Sequence, residues 1–177
     1  MNRKREKASS PSKVLEKVKA YISENQLSAE DGDSLWCVID VDRWPQEQIE
    51  ELYMFCAQKN NWHLVISNPC IEIWLLYHKL CDLSKLGILT AKDAKQALDK
   101  LEKGGYYYIK YLPLMLNAIE NARKADANPD GYMPEHLQTK VYMLGQALYE
   151  RMGKVRFDKF VASLPSIEKD ILRHTKG

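Results

Sequence analysis

Two apolar runs, LWCVID at 35–40 and WHLVIS at 62–67, constrain this chain more than any other feature. Each is apolar on both alternating faces. A half-exposed strand alternates apolar with polar, so these runs suit strands covered on two sides, as in a parallel sheet. Between them Ile49, Leu52, Tyr53 and Cys56 recur at i, i+3, i+4 and i+7, and Pro45 opens that helix. After the second run Asn68 and Pro69 read as N-cap and first helical residue, and Ile71, Trp74, Leu75 and His78 continue the helix. Strand–helix–strand–helix predicts a parallel α/β sheet with right-handed crossovers. Two strands are too few for a stable sheet of that kind. Further strands, a partner chain or residues ahead of Met1 would have to complete it, and a homo-oligomer is one way to do so.

The flanks read differently. Residues 1–12 form a basic tail: up to position 13 there are five basic residues against one acid, Glu6, a local charge of +4 that leaves the remainder near −2. Such a tail can meet phosphate, or serve only as a solvated end. Ser10 and Pro11 start a helix carrying Val14, Leu15, Val18 and Ile22. Residues 13–84 are then the α/β core. Residues 85–177 are expected to be helical and to pack on it: Thr90 caps a helix that Gly104 and Gly105 end, 114–125 is a second, N-P-D-G at 128–131 is a turn, 137–152 is a long helix, and 157–174 holds one or two short ones.

Several classes are excluded or unsupported. No apolar run approaches the about 18 residues of a membrane span, and no signal peptide is visible. Cys37, Cys56, Cys70 and Cys81 are scattered in apolar patterns, which suits buried, reduced thiols in a cytoplasmic protein. There is no P-loop, dinucleotide fingerprint, H-E-x-x-H or G-x-S-x-G.

Three constellations could carry chemistry. Asp40 and Asp42, in VIDVDRW, stand two apart and so on one side of a strand's carboxyl end. Ligands bind at that end of parallel sheets, and paired carboxylates suit Mg²⁺ or Mn²⁺; the plainer alternative is that both bond loop amides. SNPCIEIWLLYH, 67–78, sets Asn68 at a helix start and Glu72 among Ile71, Ile73 and Trp74. A carboxylate in that setting is functional or held by a buried partner. His78 reads more readily as a core histidine than as a ligand. YYYIKYL, 106–112, surrounds Lys110 with tyrosines, which stack on bases or simply pack.

W-C-V-I-D-V-D-R at 36–43, followed by S-N-P-C-I-E-I-W-L-L-Y-H, resembles the RloB-like family of prokaryotes. Y-x-K at 108–110, A-I-x-x-A at 118–122 and T-x-V-Y-x-L at 139–144 extend the likeness over 36–148. The resemblance implies a Toprim-like, Rossmann-like fold: a small parallel sheet flanked by helices. It implies association with restriction–modification loci and phage defence, and Mg²⁺-dependent cleavage of DNA or RNA. Asp40 and Asp42 would hold the metal, Glu72 would be a third carboxylate, and Arg43, Asn68 and Lys110 would meet substrate. An ATPase encoded nearby is an implied partner. The family also shows an E-G-x-x-T-E strand upstream of its D-x-D, and no such motif occurs in these 177 residues. Metal binding by two carboxylates alone is expected to be weak, and a non-catalytic module binding nucleic acid or a partner is the alternative.

Overall fold

The computed structural model describes residues 10–41, 44–102 and 107–164. The chain forms helix α1 (Pro11–Asn25), strand β1 (Leu35–Asp40), α2 (Gln46–Cys56), β2 (Trp62–Ser67), α3 (Glu72–Tyr77), α4 (Ala91–Leu101), α5 (Tyr108–Tyr111), α6 (Met115–Ala125), α7 (Val141–Met152) and α8 (Lys154–Ser163). Among the described residues it is an α/β fold built on one two-stranded parallel sheet. Leu35 pairs with Trp62 and the register runs to Asp40 opposite Ser67.

Local chemistry accounts for the element starts. Ser10 Oγ accepts from Lys13 N–H at 3.3 Å and Pro11 occupies the first turn, so α1 begins inside the stretch expected to be tail. Thr90 and Asp93 form a reciprocal capping box at α4. The expected Gly104–Gly105 stop lies outside the described residues.

One sheet face is covered. Cys37, Ile39, Leu64 and Ile66 pack with Leu15 of α1 and Ile49, Leu52 and Cys56 of α2. The other face is not uniform. Val65 is fully buried, Trp36 stacks on His63 at 4.1 Å, and Val38 is 44% exposed. The expectation of an inner strand for 35–40 is therefore corrected: β1 lies at the edge of the sheet among the described residues, and its second face meets solvent at Val38.

A second core surrounds α3. Ile73, Leu76 and Tyr77 pack with Ala94 and Leu98 of α4, Ala118 and Ala122 of α6, and Tyr142 of α7. The later helices thus gather mainly on α3, while α7 also touches β2. Gly145 lets α7 come close: a Cβ there would stand 3.2 Å from Ile119 Cγ1 and 3.3 Å from Trp74 Cη2.

The expected 137–152 helix starts late, because 137–140 serves the sheet instead. Asn68 N–H donates to the Gln138 carbonyl at 2.9 Å, Leu137 N–H to the Asn68 carbonyl at 3.0 Å, and Lys140 N–H to the Ile66 carbonyl at 2.7 Å. Ser67 and Thr139 form an antiparallel bridge, and their hydroxyls meet at 2.7 Å. This strap occupies the carboxyl half of β2's free edge.

Candidate functional site

The carboxyl ends of β1 and β2 lie side by side, because parallel pairing sets Asp40 opposite Ser67. Three residues beyond Ser67 comes Cys70, buried to 2% exposure. Its Sγ donates to the Ala91 carbonyl at 3.8 Å, and its thiol is pushed up to about 12, first by burial and then by the neighbouring Glu72 carboxylate, with the Asp40 charge adding to it. Held protonated, it is no thiolate ligand. Glu72 opens α3, and its Oε2 is buried without a hydrogen-bond partner. An orphaned carboxylate oxygen is costly and calls for a cation or a proton.

The donor chemistry fits a hard divalent ion: carboxylate oxygens, one of them unsatisfied, and a thiol too basic to compete. Among the described residues no three His, Cys, Asp or Glu side chains gather as a metal cluster. Asp40 and Glu72 alone would leave a bound Mg²⁺ mostly hydrated. Asp42 and Arg43, the other candidates on this loop, lie outside the described residues.

Asn68 does not cap a helix, which is a correction. Its backbone is taken by the strap, and its Nδ2 donates to the Pro134 carbonyl at 3.0 Å. The Asn68–Pro69 peptide is cis, and α3 starts only at Glu72. Lys110 stands elsewhere. It is 3.4 Å from Glu102 Oε2, and Lys79 pairs with the same carboxylate, whose side chain is 3% exposed. His78 is buried in the α3 core, with Nδ1 3.0 Å from the Trp74 carbonyl. Burial lowers its pKa, and the Lys79 charge adds to that. Cys81 is exposed, against the expectation of four buried thiols, because it follows the end of α3 rather than facing its core.

Sequence reasoning missed a buried ion pair behind β2. Lys140 Nζ donates to Asp126 Oδ2 at 2.6 Å and to the Asn128 carbonyl at 2.5 Å, and Tyr142 Oη donates to the same Asp126 oxygen at 2.7 Å. Both charged side chains are 1% exposed. The pair ties the N-P-D-G turn to the strap. A lysine within an amphipathic pattern reads as solvated, so the sequence carried no signal for it.

A protein-family model described as RloB-like protein matches residues 1–148. No curated protein and no solved structure matches the chain. Among the described residues no helix is long and apolar enough to cross a membrane.

Proposed function

Because this chain belongs to the RloB-like protein family, we propose that it is a Toprim-like, Mg²⁺- or Mn²⁺-dependent nuclease acting on nucleic-acid phosphodiesters. The observation that carries this reading is the buried, unpartnered Oε2 of Glu72 at the start of α3, the helix that follows the strand end paired with Asp40. Asp40, Asp42 and Glu72 would hold the ion, which when bound offsets charge on phosphate oxygens. Asp40 acts as a fixed carboxylate on a hydrogen-bonded strand end. Glu72 offers an oxygen free to orient water or accept its proton. Cys70 stays a thiol. Arg43 meets substrate phosphate. The family resemblance further supports a role in phage defence at a restriction–modification locus, with a neighbouring ATPase as partner; co-purification with that ATPase tests this part.

Cleavage of a labelled oligonucleotide with Mg²⁺ or with chelator tests the catalytic reading. Asp40→Asn keeps shape and removes charge. It should lower the rate by about a hundredfold or more with an unchanged circular dichroism spectrum. Unaltered, metal-dependent cleavage by Asp40→Asn would remove this residue from the mechanism.

One observation favours a second reading, a non-catalytic module that binds nucleic acid or a partner: among the described residues no three ligating side chains gather. Nucleic-acid binding that survives both chelator and Asp40→Asn, with no cleavage under any metal, would select it.

A further inference from the structure

α3 and α5 together present a row of rings. Trp74 and His78 are one helical turn apart, with centroids at 4.9 Å and an interplanar angle of 76°. Tyr111 stands edge-on to His78 at 5.3 Å and 67°. Tyr108, one turn before Tyr111, is 52% exposed. These four line a cavity of about 160 Å³ that Leu144 and Leu148 of α7 close from the other side. An apolar void of about 150 Å³ takes one benzene-sized ring, whereas drug-sized ligands need roughly 300–1,000 Å³. The cavity therefore suits a single planar ring.

Positive charge adjoins it. Lys79 Nζ lies 5.1 Å from the centroid of the Tyr111 ring. Lys79 and Lys110 share one acid, the buried Glu102, so the group keeps a net charge of +1 beside the cavity. Each lysine side chain stays about a quarter exposed, within reach of a further anion. Burial lowers the pKa of Lys79, and the Lys110 charge lowers it further.

We propose that this corner is a single-strand nucleic-acid site, in which one unpaired base enters the Trp74–Tyr108–Tyr111 cavity and the neighbouring phosphate meets Lys79 and Lys110. A ring-sized aromatic cavity beside surplus ammonium charge is the pairing of stacking and phosphate contact that single strands require. A duplex cannot use it, since its base faces are covered in the stack. The proposal rests on the nucleic-acid class of the function above, and deepens it by naming strandedness and a second contact site.

Binding of a short labelled single strand, DNA or RNA, against the matching duplex tests it by fluorescence anisotropy in chelator, where cleavage is silent. Single strand should bind more tightly than duplex. Tyr108→Ala should weaken it about five- to a hundredfold, and Lys110→Gln should weaken it and flatten its salt dependence. Tyr21→Ala, at an exposed tyrosine of α1, should do neither. Tryptophan fluorescence should be quenched by the strand in the native protein and less so in Trp74→Phe, which reports on the cavity even if one variant misfolds. Equal binding of duplex, or binding that Tyr108→Ala and Lys110→Gln leave intact, would overturn the proposal. So would self-association or capture of an apolar peptide abolished by Tyr108→Ala, which would assign the cavity to a protein partner. Intact Tyr108-dependent binding without cleavage on metal addition would sink the nuclease reading and leave this one standing.

Discussion

Single residues decided where the sequence could be read and where it could not. The place of Asp40 was legible, because the apolar run 35–40 ends at it and β1 ends there too. Asn68 was misread because N-P carries the local signature of a helix cap, yet Gln138, Leu137 and Pro134 supply stronger, non-local partners. His78 was legible as a core residue, and the structure adds its titration. The folded protein holds His78 below the ordinary value of about 6.5, chiefly through burial. Above that pH both folded and unfolded forms are neutral there, and His78 has no effect. As pH falls below it, the unfolded chain takes up a proton that the folded chain refuses, so stability falls until the folded pKa is passed. His63 is lowered by burial too and contributes with the same sign. Urea midpoints at about pH 7.5 and about pH 5.5 should therefore drop on acidification, and His78→Gln should drop less. An identical drop in both proteins would show that His78 does not feel the burial described.

Elements whose pattern and partners agree were read correctly; those captured by another element were not. β1 and β2 have the bounds their apolar runs imply, and α2 and α4 follow their periodicity. α7 did not begin where its pattern does, because 137–140 is drawn to the edge of β2. The capture is costly locally: Leu137 sits at φ +64°, the left-handed region that L side chains disfavour. It is held there by Tyr77 Oη donating to its carbonyl at 2.8 Å, and one residue group on is anchored by the Lys140–Asp126 pair. Removing one member of a buried pair leaves the other charge uncompensated, typically about 3–5 kcal/mol. Lys140→Met should therefore destabilise by about that much in denaturant unfolding. The double change Lys140→Met with Asp126→Asn should recover much of the loss, since no bare charge remains. A loss in Lys140→Met below about 1 kcal/mol would mean that the pair is solvated and does not pin the strap.

At the scale of the whole molecule, the sequence suggested a division near residue 84 between an α/β core and helices that lean on it. The two cores are arranged otherwise. α3 belongs by sequence to the first part, yet Ile73, Leu76 and Tyr77 lie in the same cluster as α4, α6 and α7. The strap runs the opposite way: residues 137–140 belong to the second part and bond to β2 and Asn68. Each part thus lends an element to the other, which no reading of local periodicity reveals, because periodicity shows that a helix has an apolar face and not what covers it. A two-stranded parallel sheet is also too small to hold α1 and α2 unaided. The two parts should accordingly fold only together. Fragments 10–84 and 85–164, expressed separately, should lack a cooperative thermal transition. The full chain should unfold in one step, with far-ultraviolet circular dichroism and tryptophan fluorescence giving coincident midpoints, as Trp62 reports on the sheet core and Trp74 on the helical one. A fragment 85–164 that melts cooperatively alone, or two separated transitions in the full chain, would show that the helical part is a domain in its own right and that the exchange of α3 and the strap is not what couples the halves.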